Sequence, residues 1–310
     1  MFDLFCMGGS SLDLILKVER LPQADEKLLA QFAGRAAGGL VSNTACAASR
    51  LGLQTGWSGS LGDDDNGRFV LTEFGRFDVD ATLSVIHPGA VSNFCVILLD
   101  PSGERTILVV NTLSDPPTLT DEVLQALTQT RFGYAVPQIP AWFERFAAAV
   151  HSGGGRVAVD LESVTPVEGD ELLSALRQTQ ILFTNRGGLA MVPRSAGGMV
   201  NPDSDWEPVA HEVLDLGVEE VIVTLGAAGS AAVTPDGFAQ VDGFHVPVVD
   251  STGSGDCFHA AYLAALQAGQ TLTERLRFAN AAAAIKIQQL GPRAGLPTQA
   301  QVEQFLVDHS

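Results

Sequence analysis

The sequence predicts an α/β fold, a doubly wound and mostly parallel sheet flanked by helices, carrying a small β-sheet lid. Three observations predict it. Short apolar β-rich runs alternate with helical patterns along most of the chain, two segments break that alternation with paired strands, and the composition suits a large core. With 310 residues, 46% apolar and 17% charged, the chain can fold as one large unit with a small appendage.

Buried strands are expected at Val157 to Asp160, Gln180 to Thr184 and Glu220 to Leu225. Between the runs lie helical stretches at Thr120 to Gln129, Ala141 to His151 and Asp170 to Gln178, which gives the βαβ layout of a parallel sheet. Gly153-Gly154-Gly155 ends a helix before a strand. The first break pairs Leu12 to Val18 with Lys27 to Phe32 around Leu21-Pro22-Gln23-Ala24-Asp25. The second pairs Val91 to Leu99 with Arg105 to Asn111 around Asp100-Pro101-Ser102-Gly103-Glu104, whose Pro and Gly suit a hairpin. These four strands read as an antiparallel sheet inserted at about 12–34 and 90–112 of a single domain spanning 1–310. Val91, Cys95, Ile97 and Leu99 alternate with Phe94, Val96 and Leu98, so both faces are apolar and both need cover. One face is expected to close a ligand cleft as a lid, and the other to meet a second copy in a homodimer.

A net charge of -18, with lysine only at 17, 27 and 286, repels nucleic acid and anionic membranes, so neither is an expected partner. No apolar run reaches the ~18 residues that span a bilayer. Met1 to Ser10 lacks a signal-peptide pattern, and the cytoplasm is the expected location. Cys6, Cys46, Cys95 and Cys257 form no C-x-x-C pair and read as buried free thiols.

The most informative segment is Val246-Pro247-Val248-Val249-Asp250-Ser251-Thr252-Gly253-Ser254-Gly255-Asp256, followed by a helical pattern from Cys257 to Ala268. A strand entering a glycine turn and then a helix aims backbone N–H groups and the positive helix end at one spot, which suits phosphate. Gly253, Ser254 and Gly255 are small enough for an anion to approach the main chain, and no lysine is required. Asp256 would face the phosphoryl group and accept a proton from an attacking hydroxyl. Taken alone, that carboxylate serves equally well to cap the helix.

The run resembles the C-terminal D-T-x-G-x-G-D motif of the ribokinase-like (PfkB) carbohydrate kinases, with Ser251 in place of the commoner Thr. A second match, Ala37-Gly38-Gly39-Leu40-Val41-Ser42-Asn43, resembles that family's substrate-binding glycine pair. The resemblance implies ATP-dependent phosphorylation of a sugar hydroxymethyl group, with magnesium, Asp256 as catalytic base and an anion hole at Gly253, Ser254 and Gly255. It places Asp13, Gly38, Gly39, Asn43 and the lid residue Asn111 on the substrate. Asp13 interrupts an otherwise apolar strand, whereas Asp63 to Asn66 read as a solvated helix start.

Val223-Thr224-Leu225-Gly226-Ala227-Ala228-Gly229-Ser230 resembles the family's T-L-G-x-x-G stretch, so Thr224, Gly226, Gly229, Asn185 and Asn280 are implied nucleotide contacts. The resemblance further implies a monovalent cation such as potassium, held by Asp250 and Thr252 with carbonyls of residues 291–295. The family's N-x-x-E glutamate is absent from Asn185-Arg186-Gly187-Gly188, which moves the expected magnesium ligands to Asp160 or Glu162. Gly291-Pro292-Arg293-Ala294-Gly295-Leu296-Pro297 is similar to the sulfofructose-kinase branch, yet Val136-Pro137-Gln138 offers no cation to a sulfonate.

Rival readings fare less well. A Rossmann dehydrogenase fails on glycine spacing at Phe258, and a P-loop kinase on the missing G-K-[ST]. A catalytically idle sugar- or nucleotide-binding relative, or a nucleoside kinase of the same family, stands as the alternative.

Overall fold

The computed structural model describes residues 1–101, 105–113, 116–192 and 206–309. In chain order its strands are β1 Phe2–Met7, β2 Ser11–Val18, β3 Ala30–Gly38, β4 Thr55–Ser58, β5 Ser60–Gly62, β6 Val85–His87, β7 Phe94–Leu99 and β8 Arg105–Val110. These are followed by β9 Thr130–Ala135, β10 Arg156–Leu161, β11 Ile181–Asn185, β12 Glu220–Thr224, β13 Ser230–Thr234 and β14 Gly237–Val241. The helices are α1 Leu40–Arg50, α2 Asp65–Arg76, α3 Asp121–Leu127, α4 Pro140–Ser152, α5 Gly169–Leu176, α6 Arg186–Leu189, α7 Trp206–Leu214, α8 Ser254–Gln267, α9 Leu272–Lys286 and α10 Gln299–Asp308.

Eight strands form the central sheet in the order β14-β13-β12-β11-β10-β9-β1-β4, parallel from β12 to β4 and antiparallel at the β12-β13-β14 edge. Strand pleating sends alternate residues to opposite faces. Leu4 and Cys6 of β1 enter the core under α1, α8 and α9, while Phe5 and Met7 enter the core under α3, α4 and α7. The two cores make a three-layer α/β/α sandwich, as the alternation of runs predicts. No helix among the described residues is long and apolar enough to cross a membrane.

The two breaks in the alternation build one four-stranded sheet, β3-β2-β7-β8. Two expectations need correction. β2 pairs with β7 in parallel rather than antiparallel, because the chain passes through α1 and α2 between them and returns in the same direction. The strand read at Lys27 to Phe32 instead runs Ala30–Gly38, its polar and alanine-rich second half giving little β signal. The turn residues 102–104 lie outside the described residues. Asp64 caps α2, its carboxylate accepting from the Gly67 N–H at 2.9 Å, in keeping with the solvated-cap reading of that cluster.

A third correction concerns the approach to the glycine turn. No strand precedes it: residues 242–253 are irregular, and Val249 and Asp250 donate their N–H groups to the Ile287 carbonyl at 2.8 and 3.0 Å. Pro247 lacks a donor and the sheet already ends at β14, so this apolar run finds no ladder to join.

Candidate active site

The small sheet and the carboxyl ends of the central strands enclose a cavity of about 470 Å³. Asp13, Gly38, Gly39, Asn43, Asn111, Asp160, Glu162, Thr252, Gly253 and Asp256 all line it, so segments far apart in sequence meet there as expected. The inner face of the small sheet supplies Cys95, Ile97, Ile107 and Val109 as an apolar wall. Among the described residues of the lining there is no Lys, Arg or His, and the four carboxylates carry its charge.

Local backbone explains the glycine pair. A Cβ on Gly38 would stand 2.5 Å from Asp13 Oδ2, and Gly39 holds φ +103° as it enters α1. Gly38 therefore makes room for the Asp13 carboxylate at the cavity wall, while a Cβ on Gly39 would meet the Gly9 carbonyl at 2.8 Å. Burial raises the Asp13 pKa, opposed by the Ser11 hydroxyl, which donates to Oδ1 at 3.2 Å, and by Cys95 and Arg293.

Gly253, at φ +76°, caps α8 and packs so tightly on the Pro292 carbonyl that a Cβ would meet it at 2.8 Å. The Ser254 N–H turns back to the Ser251 carbonyl at 3.1 Å. The following N–H groups of the first turn have no intrahelical acceptor, and the space beside Gly255 is open. An anion fits there.

Asp256, in the first turn of α8, is only 4% exposed. Its Oδ2 accepts from Asn43 Nδ2 at 2.9 Å. Burial pushes its pKa up to about 7; the Asn43 hydrogen bond, Arg293 and Lys286 restrain that rise, and Glu162 adds to it. A carboxylate with this pKa is matched to proton exchange near neutral pH.

Asp160, at the end of β10, is buried, and its Oδ2 has no hydrogen-bond partner. Burial, Glu162 and Asp256 raise its pKa well above the usual carboxylate range. Glu162 is raised by burial as well. His259 lies behind them with its Nδ1 2.9 Å from the Tyr134 hydroxyl, and burial lowers its pKa to about 3, so the ring is neutral. The orphaned oxygen of Asp160 suits a divalent cation, and magnesium takes few protein carboxylates. No group of three His, Cys, Asp or Glu among the described residues could hold a metal.

A second groove of about 670 Å³ lies across the start of α8, sharing that turn with the first cavity and lined by Gly226, Gly229, Ser251, Ser254 and Asn280. Gly226 and Gly229, at φ +63° and +92°, shape its floor. The polar atoms of Asn280 are turned inward: Oδ1 accepts from the Ser230 hydroxyl at 2.9 Å, and Nδ2 donates to the Val241 and Asp242 carbonyls at 3.1 and 3.2 Å. Asn185 and Thr224 line neither cavity. Asn185 Oδ1 caps α6 through the Gly188 N–H at 2.9 Å, and the Thr224 hydroxyl donates to the Thr184 carbonyl at 3.3 Å.

Asp250 and Thr252 are tied to each other. Asp250 Oδ1 accepts from the Thr252 N–H and hydroxyl at 2.9 and 2.7 Å, and Oδ2 accepts from the Gly291 N–H at 2.8 Å. Burial raises the Asp250 pKa, but these donors and Lys286 outweigh it and the net shift is downward.

Two cations went unassigned in the sequence. Arg293, 5% exposed, donates from Nε to Asn43 Oδ1 at 2.9 Å and from Nη2 to the Ser42 hydroxyl and Gly38 carbonyl at 2.9 and 3.2 Å. Lys286, fully buried, donates from Nζ to the Asp250 carbonyl at 2.9 Å. A lysine in an apolar helix of a lysine-poor chain was the available signal for the second.

The pfkB family carbohydrate kinase model matches residues 1–299. The chain belongs to that family. A ribokinase of Arabidopsis thaliana is 29% identical over 98% of this chain and 80% of its own length. An aminoimidazole riboside kinase of Salmonella typhimurium is 26% identical over 99% of this chain and 96% of its own. The structure of Arabidopsis thaliana ribokinase complexed with ribose and ATP superposes with a TM-score of 0.86 at 25% identity, covering 98% of each chain. The fold is accordingly ribokinase-like, and the chain is a carbohydrate kinase and a transferase.

Proposed function

We propose that this ATP-dependent carbohydrate kinase phosphorylates the hydroxymethyl group of an uncharged sugar, with Asp256 as general base and the amides of residues 253–256 as anion hole. The carrying observation is Asp256 itself: a buried carboxylate with its pKa pushed up to about 7, lining the first cavity in the helix turn that both cavities share.

The small sheet acts as a lid on an otherwise single domain. Sugar hydroxyls are held by Asp13, Gly39, Asn43 and Asn111, and ATP lies along the groove floored by Gly226 and Gly229. Asn280 serves by holding the groove wall rather than by touching the base. Asp256 removes the hydroxyl proton as the oxygen attacks the terminal phosphorus and ADP departs, while the α8 amides face the charge on the transferred group. Asp160 and Glu162 would hold magnesium, whose chemistry when bound is to neutralise phosphate charge.

The cation-free lining disfavours sulfonated, carboxylated and phosphorylated acceptors, which would meet four carboxylates. A nucleoside acceptor is the second reading, favoured by the apolar wall of Ile97, Ile107 and Val109 and by the similarity to an aminoimidazole riboside kinase. Magnesium-dependent ADP release across neutral pentoses, ketoses, deoxy sugars, sugar acids and nucleosides is the test, with Asp256→Asn as control. A hit abolished by Asp256→Asn supports the reading. Silence across the panel, with sugar or nucleotide binding retained, would replace it with the catalytically idle relative.

A further inference from the structure

Lys286 closes α9 with no exposure to solvent, and it ranks among the bulkiest fully buried side chains of the protein. Burying an ammonium is costly unless it is paired and hydrogen-bonded. Its Nζ donates to the main-chain carbonyl of Asp250, 2.9 Å away, and its charge lowers the pKa of both Asp250 and Asp256. The Asp250 carboxylate in turn clamps Thr252 on one side and Gly291 on the other. Gly253 rests on the Pro292 carbonyl, and a Cβ on Gly295 would strike the Lys286 carbonyl at 2.5 Å. Lys286 therefore sits behind the two loops, 250–253 and 291–295, whose contact shapes the start of α8.

The family resemblance implies a monovalent cation at this place, held by Asp250, Thr252 and carbonyls of 291–295. The side chains it names are already engaged, and an ammonium stands at the same turn. Both Asp250 carboxylate oxygens already accept from main-chain or hydroxyl donors, the Thr252 hydroxyl is spent on Asp250, and the Asp250 carbonyl accepts from the ammonium. An ammonium and a potassium ion are similar in size and both seek carbonyl oxygens, so one can stand for the other.

We propose that the Lys286 ammonium is a built-in monovalent cation: it holds the Asp250 to Gly253 turn in its anion-binding shape, and the enzyme requires no potassium or other soluble monovalent cation there. Lys286 acts as a positioning residue through Asp250 and touches no substrate. The turnover arm of its test rests on the kinase reading; the melting arm does not.

The experiment compares wild type and Lys286→Met at constant ionic strength, replacing choline chloride stepwise by potassium, ammonium or lithium chloride, and reads turnover and melting temperature. Wild type should be indifferent to the replacement by both readouts. Lys286→Met should lose about 10–100-fold in kcat in choline. Potassium and ammonium, but not lithium, should restore a large part of that loss and raise the melting temperature of the variant alone. A side chain needed only for packing gives no such selective rescue. Potassium stimulation or stabilisation of wild type overturns the proposal. So does a Lys286→Met enzyme that is unimpaired, or impaired and unrescued. Should that variant not fold in any salt, the wild-type arm decides by itself. Absence of turnover on every acceptor would sink the kinase reading while the melting comparison still reads out.

Discussion

Arg293 Nε donates to Asn43 Oδ1 at 2.9 Å, and that one bond fixes which end of the Asn43 amide faces Asp256. A guanidinium has only donors, so the amide oxygen must turn toward it and the NH2 group must turn toward Asp256, where Nδ2 lies 2.9 Å from Oδ2. A donor facing a carboxylate stabilises its charged form, whereas a flipped amide would present an acceptor and favour the protonated acid. Arg293→Met should therefore lower kcat by about tenfold or more with a smaller change in KM. In an Asn43→Leu background the same substitution should cost little further, since the relay is already cut. Equal losses in both backgrounds would place Arg293 in service of the Gly38 loop alone.

Asp256 links activity and stability to pH with opposite signs. Its pKa is about 7 in the folded chain against an ordinary 3.8, so between those values the folded state binds the proton that the unfolded state has released. Stability from this group is present below the ordinary value and is lost as pH rises through 7. On the proposed mechanism turnover runs the other way, because Asp256 must be deprotonated to act as base, and kcat should climb toward a plateau above about pH 7. Asp256→Asn should lower turnover by ~10²–10⁴-fold and raise stability at neutral pH by on the order of 1–4 kcal/mol. Chemical denaturation of both proteins across pH 4 to 8 checks it; a variant less stable than wild type at neutral pH contradicts the assignment.

On the proposed magnesium site, Asp160 would govern the magnesium dependence. Its Oδ2 has no hydrogen-bond partner, and burial with Glu162 and Asp256 nearby raises its pKa, so its proton would compete with a bound cation. Binding a divalent cation must then release a proton, so apparent magnesium affinity should rise with pH. Asp160→Asn should raise the half-saturating magnesium concentration by about 10–100-fold, and Glu162→Gln by less, since Glu162 is more exposed. Magnesium titrations of initial rate at two pH values measure both. An unchanged titration in Asp160→Asn would move the metal elsewhere.

The parts of the site legible in the sequence are those written in local backbone grammar. Gly253, Gly255 and Asp256 announce an anion-binding helix start, and Gly38 with Gly39 a close approach, because glycine and a first-turn carboxylate act within a few residues. The parallel βαβ layout followed from alternating apolar runs for the same reason, whereas the strand order did not. Arg293 and Lys286 escaped because their partners, Asn43 and the Asp250 carbonyl, lie 250 and 36 residues away. The family resemblance puts Asn280 and Asn185 at the nucleotide, yet their amides bond the protein itself, Asn280 through the Ser230 hydroxyl and the Val241 and Asp242 carbonyls and Asn185 through the Gly188 N–H, partners fixed only by tertiary packing. The strand assigned before Asp250 failed because an apolar run needs an open sheet edge, and edges are not visible locally.

The outer face of the small sheet carries the last prediction. Register aligns Leu14, Val96 and Leu108 in one row and Leu16 with Leu98 in the next, all on the face turned away from the cavity. Arg35 on β3, stacked 4.3 Å from the Phe69 ring of α2, covers the end of the first row, but Leu108 at the other end remains 52% exposed. An apolar sheet face left half open along β8 is the surface a second copy would close. Leu108→Asp should then leave the fold intact, reduce a wild-type dimer to monomer by light scattering at micromolar concentration, and raise KM for the sugar, because Ile107 and Val109 beside it form the cavity wall. A wild-type monomer at that concentration removes the dimer, and the lid must then close over the cavity without help from a second subunit.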